Sequence, residues 1–333
     1  MDSRKRRQTG EAIMKTSLSR FTALVFTVLT FVPAFGAQWN ATVGAQSEDK
    51  GRQVVAFLPN ELWIDVGDSI QWTVNADEIH TITFLTTGQV RPPFFVGCPG
   101  FSVGAASVDY STCISTPPMV SGQTFNVMFP TAGNFKLVCL VHPDMTGVVH
   151  VLDTSVPLPH DQTFYDKEAA QQAHDLLAEL NPGRAHHHSA PPNSVIVGAG
   201  KTLANAGGHS TISLMRFVQP ELIVHAGATV EWTNDDTSMP HTITFGAEPN
   251  DPFPPSPNVT VDADGALHAT TSSTSDNVHS GFIVSAPQDE TGLPQTPFGP
   301  TRFRVTFTNP GVYPYICTLH DDLGMKGEII VVP

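Results

Sequence analysis

With 333 residues, 40% of them hydrophobic, and 26 Gly and 28 Pro, the chain is that of a turn-rich globular protein of about two domains, for which an all-β fold is the first expectation. Its 17 Lys and Arg face 31 Asp and Glu, and six of the basic residues fall within positions 1–36, so the remainder holds 11 basic against 29 acidic residues. So acidic a body argues against nucleic-acid binding and for a basic partner surface or simple solubility.

Residues 1–36 read as an export signal, with basic residues (Arg4 to Arg7, Lys15, Arg20), an apolar run from Phe21 to Phe35 and the small-x-small site Ala34-Phe35-Gly36. Met14-Lys15 offers a second start. A membrane anchor is the competing reading, but a run of about 15 residues falls short of the ~20 that span a bilayer. The expectation is a cleaved signal, no stable membrane span, and a periplasmic or extracellular protein. In that oxidising space Cys98 and Cys113, which stand outside the repeated motif described below, are expected to pair. The bridge would close a loop of about 15 residues and stabilise by roughly 3 kcal/mol in the chain-entropy account.

A first domain is expected over 37–155. Residues 37–50 are polar and read as loosely ordered. From Val54 the pattern turns strand-like, through Leu62-Trp63-Ile64-Asp65-Val66, the turn Gly67-Asp68, and Ser69-Ile70-Gln71-Trp72-Thr73-Val74, where apolar and polar residues alternate. Phe217, Glu221-Leu222, Gly227, Trp232 and His241 repeat Phe57, Glu61-Leu62, Gly67, Trp72 and His80 at an offset of 160 to 161, which marks a duplicated domain, expected over 195–333. Between the copies, over 156–194, lie a helix and linker. Thr163 to Leu180 has a capping box from Thr163 and Asp166 and an apolar stripe of Ala169, Ala173, Leu176, Leu177 and Leu180, and Asn181-Pro182-Gly183 stops it. His186-His187-His188 then falls in an exposed linker, where such a run is expected to be solvated. Each domain carries an insertion, 86–122 and 246–300, and the acidic stretch Asp262 to Asn277 reads as mobile. Gly198-Ala199-Gly200-Lys201-Thr202 fails as a phosphate loop, since Val195 occupies the place of its first Gly.

The chemistry sits at the end of each repeat. Cys139, His142 and Met145 stand as Cys-x2-His-x2-Met, and Cys317, His320 and Met325 as Cys-x2-His-x4-Met; each follows, at a distance, the same phrase, His80-Thr81-Ile82-Thr83-Phe84 and His241-Thr242-Ile243-Thr244-Phe245. Copper cycling between Cu(I) and Cu(II) needs ligands tolerable to both states, namely two imidazoles and a thiolate with a weak axial thioether. Structural zinc prefers closed Cys and His sets without thioether. The joint occurrence of Cys, His and Met twice, each time after one phrase, points to copper, two per chain. In a Greek-key sandwich, strands distant in sequence bring their ends together, so the upstream His can complete the set.

On these residues both halves, about 54–152 and 195–333, resemble cupredoxins, the blue (type 1) copper family that includes plastocyanin, azurin and amicyanin. The resemblance implies two Greek-key β-sandwich domains joined by a helical linker, with His80, Cys139, His142 and Met145 as ligands of one copper and His241, Cys317, His320 and Met325 of the other. Two departures stand out: Thr81 and Thr242 replace the Asn that often ties the two ligand loops together, and Ile79 replaces the Pro found at Pro240. Such neighbours tune the reduction potential.

The resemblance implies outer-sphere electron transfer between a donor and an acceptor redox protein, not catalysis. Multicopper oxidases and copper nitrite reductases stack similar domains, but their further centres need a His beside the copper Cys and His-x-His pairs. Here Val138 and Ile316 precede the Cys, and the only His-x-His lies in the linker. A copper-handling protein without a redox role remains the alternative. Trp72 and Trp232 read as core residues, and His150, His268 and His279 as surface or satisfied ones.

Overall fold

A computed structural model describes residues 36–92, 97–98, 101–180, 190–285 and 299–333; the segment 1–35 and the linker histidines His186 to His188 lie outside the described residues. Among the described residues no helix is long and apolar enough to cross a membrane. Apart from the helix Gln162–Glu179 and a short 3-10 turn, the described elements are strands, arranged in four sheets that form two sandwiches.

The strand Ser69–Val74 shows why. Ile70, Trp72 and Val74 alternate with Ser69, Gln71 and Thr73, so one face is buried and the other half-exposed. Its counterpart Thr229–Asn234 repeats the pattern with Val230, Trp232 and Asn234 inward. Trp72 packs edge-on against Phe84, and Trp232 against Phe245 and Tyr315, at the centre of each core. Each buried aromatic of this size contributes about 1.5–3 kcal/mol through the surface it removes from water.

In the first sandwich one sheet runs Gln38–Gln46, Ser69–Val74, Thr124–Met128 and Ala105–Ser107 outward from Arg52–Leu58; the other runs Glu61–Asp65, Thr146–Leu152, Gly133–Val138, Thr83–Phe84 and Ile114–Ser115. The stretch expected to be loose, 37–50, is therefore mostly a strand. Gln38–Gln46 pairs parallel with Ser69–Val74 and antiparallel with Arg52–Leu58. Trp39, Ala41 and Val43 point into the core, and the Trp39 indole donates to Asp68 at 2.7 Å. Only three apolar residues among polar ones carry its alternation, and two neighbouring strands complete its hydrogen bonding.

The acidic insertion of the second domain is also ordered, in correction of the mobility expected there. Leu267–Thr271 pairs parallel with Arg302–Phe307 and buries Leu267, Ala269 and Thr271. Arg304 binds Asp262 and Asp264 and reaches Glu231, so these carboxylates form a network around one guanidinium. Asp276 accepts from the backbone N–H groups of Ser272 and Ser273, closing the turn.

Two features tie the sandwiches together. The hairpin of Gly200–Ala204 and His209–Leu214, although inside 195–333, pairs with Arg52–Leu58 and so extends a sheet of the first sandwich, Ile212 lying opposite Val54. The helix covers the outer face of this strand: Leu176, with Ala169, Ala173, Leu177 and Leu180, packs on Val54, Ala56, Leu58 and Ile212. Arg52–Leu58 is thus buried on both faces, which accounts for its unbroken apolar run. Met215, Met239 and Leu323 from the second half join the first core. Arg216 donates to the carbonyls of Asp49 and Leu323, one on each side.

The helix begins at Gln162, with Asp161 as its cap, accepting from the Phe164 N–H at 2.9 Å; Thr163, the expected cap, lies two residues further on, inside the first turn. Asp161→Ala should lower the unfolding free energy by about 1 kcal/mol in urea titrations. Thr163→Ala should change it by less than about 0.5 kcal/mol. Equal losses at the two positions would contradict the capping assignment.

Candidate metal centres

In each sandwich, strand pairing builds the site. Thr83 lies opposite Val138, so His80, three residues before Thr83, and Cys139, directly after Val138, reach the same end of one sheet. Thr244 lies opposite Ile316 and does the same for His241 and Cys317. Each Cys opens a loop that its own backbone closes: Cys139 N–H donates to the Met145 carbonyl at 3.0 Å, and Cys317 N–H to that of Met325 at 3.1 Å. The second loop absorbs its two extra residues in the 3-10 turn Asp321–Leu323 and at Gly324, whose φ of 97° suits glycine.

His80, Cys139 and His142 are thereby gathered into one buried group and His241, Cys317 and His320 into another, with the donor atoms of each group within 4.8 Å of one another. In the second group the two Nδ1 atoms are 3.0 Å apart and stand 3.8 Å (His241) and 3.5 Å (His320) from the Cys317 sulfur. A point equidistant from three atoms so placed lies about 2 Å from each, the length of a metal–nitrogen bond. In the first, Cys139 Sγ is 3.5 Å from His142 Nδ1. Both ring nitrogens of His80 and Nε2 of His241 are buried without a hydrogen-bond partner. Such orphaned groups cost about 1–3 kcal/mol each unless something meets them. A soft metal ion at the centre of each group fits the sulfur and nitrogen donors and satisfies the inward-facing atoms. Met145 and Met325 are fully buried in the same loops.

The electrostatics agree. Burial pushes the Cys139 thiol up, but the charge and hydrogen bond of His142, with His80, outweigh it and hold the thiol well below its ordinary range. His320 and His241 do the same for Cys317. Burial pulls His142 and His320 down, yet their thiolates and Glu78 raise both above the ordinary imidazole value. The histidines at each sulfur thus favour the thiolate, the form that binds a metal ion.

The threonines carry out the loop-tying work expected of Asn. Thr81 Oγ1 accepts from the Leu140 N–H at 2.7 Å and Thr242 Oγ1 from the Thr318 N–H at 2.8 Å, while the Thr81 and Thr242 N–H groups donate to the two sulfurs at 3.3 and 3.4 Å. The first insertion braces the first site from behind. Arg91 donates to the carbonyls of Cys139 and Leu140. The Cys98–Cys113 disulfide, present as expected, packs on Val138 and Leu140.

Four further residues at the sites have no motif to announce them. Gly44 (φ 72°) and Gly198 (φ 67°) lie against the first histidines; a Cβ would come within 2.9 Å of His80 Nε2 and 2.5 Å of His241 Nε2, respectively. Asp236, fully buried, faces His241 Nε2 at 3.6 Å. Glu78, 7% exposed, lies between the sites, 3.4 Å from His142 Nε2 and 3.3 Å from His320 Nε2. Of the remaining histidines, His150 pairs with Glu61 and Asn134, His268 with Asp262 and Thr306, and His279 with Thr244 and the Pro252 carbonyl.

Comparison with known proteins is consistent with this geometry. The family model described as copper binding proteins, plastocyanin/azurin family, matches residues 43–152 and 204–332, more than half of the chain. Amicyanin-alpha of Methylorubrum extorquens is 28% identical over 141 residues, which span 41% of this chain and 85% of that protein. Among solved structures, oxidised plastocyanin from Dryopteris crassirhizoma matches 42% of the chain and 99% of its own at 20% identity and a TM-score of 0.22. The reduced Cu(I) form of an amicyanin variant matches 34% and 82% at 18% identity and a TM-score of 0.24.

If the two glycines make room for the histidines, Gly198→Ala should abolish metal binding at the second group while the first keeps its ion, halving the metal-to-protein ratio after loading and desalting. Gly44→Ala should do the converse. Full retention by both variants would show that the imidazole edges are not confined there.

Proposed function

The chain belongs to the plastocyanin/azurin family of copper-binding proteins, and from that premise we propose that it is an exported electron carrier with one type 1 copper in each sandwich. His80, Cys139, His142 and Met145 would hold the first ion, and His241, Cys317, His320 and Met325 the second. Copper so held supplies a one-electron Cu(I)/Cu(II) couple. The observation that carries the reading is the closed, buried His–Cys–His triangle, formed twice from matching strand ends. Donors already in place before a metal arrives need little rearrangement between oxidation states, and the six His and Cys donors are 0–3% exposed. The Thr81 and Thr242 N–H groups aimed at sulfur favour the thiolate over the thiol.

Export is supported by the Cys98–Cys113 disulfide, since such bridges persist in oxidising compartments, together with the signal-like segment 1–36. The carrier's donor and acceptor would be redox proteins. Copper handling without redox would favour a site open to exchange, and the burial of both groups weighs towards the carrier.

The test is the visible spectrum and copper content of the loaded protein. An intense blue thiolate-to-copper band that bleaches reversibly with ascorbate or dithionite is expected, at about two coppers per chain. Cys139→Ser and Cys317→Ser should each remove half of the band and half of the copper. A colourless protein, or copper that does not cycle, would overturn the carrier in favour of copper handling; loss of the whole band in one variant would leave a single blue site.

A further inference from the structure

The two centres are neither isolated from one another nor equivalent. Both face one carboxylate. His142 and His320 turn Nδ1 towards their sulfurs and Nε2 outward, and both Nε2 atoms meet Glu78, one at each carboxylate oxygen. Both imidazoles are buried, so His142–Glu78–His320 is a continuous side-chain connection from one group to the other.

The difference lies at the other histidine. His241 Nε2 faces Asp236 Oδ2 at 3.6 Å, both side chains are fully buried, and neither of these two atoms has a hydrogen-bond partner. Asp236 is held in that pose through its other oxygen, which accepts from the Ser213 hydroxyl at 3.0 Å and the Ser238 N–H at 3.0 Å. Around Gly198, the built Cβ would meet His241 Nε2 and Asp236 Cβ; around Gly44, it would meet His80 Nε2 and Ala76 Cβ. Ala76 therefore stands where the second centre has its aspartate, and His80 Nε2 has no partner. A carboxylate beyond a ligating imidazole makes that ligand more basic. Its negative charge in a buried, low-dielectric setting also favours the more positive oxidation state. Glu78 touches both centres and cannot set them apart, whereas Asp236 acts on one alone.

Resting on the carrier reading, we propose that the two centres form a polarised pair: Asp236 gives the second the lower reduction potential, so that it donates to the first across the His320–Glu78–His142 contact. With copper held by both ligand sets, one electron would pass from Cu(I) at the second, leaving Cu(II), to Cu(II) at the first, giving Cu(I). No bond forms or breaks, and Glu78 keeps both contacts. The chain then takes its first electron to rest at the first centre and its second at the other, acting as an ordered two-electron store.

Redox titration of the single-centre variants tests the polarity. The first centre, alone in Cys317→Ser, should have a reduction potential above that of the second, alone in Cys139→Ser, by at least a tenfold preference for the electron, or about 59 mV for a one-electron couple. Asp236→Asn in the Cys139→Ser background should raise the second centre's potential and close most of the gap. Equal or reversed potentials would overturn the proposal, as would no shift in Asp236→Asn; the single-centre comparison stands by itself if that variant does not fold. Glu78 is tested by pulse reduction of the two-copper protein. A re-equilibration phase independent of protein concentration is expected, slowed about tenfold or more in Glu78→Ala, and an unchanged rate would remove Glu78 from the path. Absence of a blue band in both single-centre variants would instead defeat the carrier reading, whereas two blue centres of equal potential would defeat the polarity alone.

Discussion

Two cysteine sulfurs and four imidazoles are buried together, and the surrounding structure is arranged to make that tolerable. A thiolate in such a place is costly unless cations or N–H donors face it. Each sulfur meets two imidazoles and a threonine N–H, and each threonine hydroxyl anchors the loop that carries the sulfur. His80 Nδ1 has no protein partner. That deficit is what a bound metal would remove, so the energetics of folding and of metal binding are joined in the same few atoms.

The duplication repeated this arrangement but not its support. In the first half, the insertion carries a disulfide and Arg91, which brace the ligand loop from behind. In the second, the insertion adds a strand beside Arg302–Phe307 and neutralises its aspartates on Arg304 and Arg302. Ion pairs this exposed contribute little singly and more as a network. Their main effect is to let an acidic segment lie on the sheet without leaving a cluster of like charges.

What turns two sandwiches into one object is the hairpin 200–214. By lending its strands to the first sheet it sets where the second sandwich begins. It also delivers Ser213 to Asp236. Met215, Met239 and Leu323 then close over the first core, and Glu78 comes to lie between two histidines that are far apart in the chain. The junction and the asymmetry between the centres have one origin.

The amino-acid sequence by itself determined the all-β class, the duplication, the helix, the disulfide pairing and the grouping of His80, Cys139 and His142, and of His241, Cys317 and His320. Each of these is written in local periodicity or in a spacing that occurs twice. It misplaced the order of 37–50, where three apolar residues carry a strand whose stability comes from its neighbours, and of 262–277, where charges that read as solvating are bound by arginines from another strand. Only the tertiary structure decided the roles of Glu78, Asp236, Gly44 and Gly198. None sits at a ligand spacing, and each acts through a contact made across strands or across the two halves. Periodicity and motif report which side chains must be buried or must meet a common partner; which carboxylate faces which imidazole depends on how separately folded layers dock, and that is settled by packing.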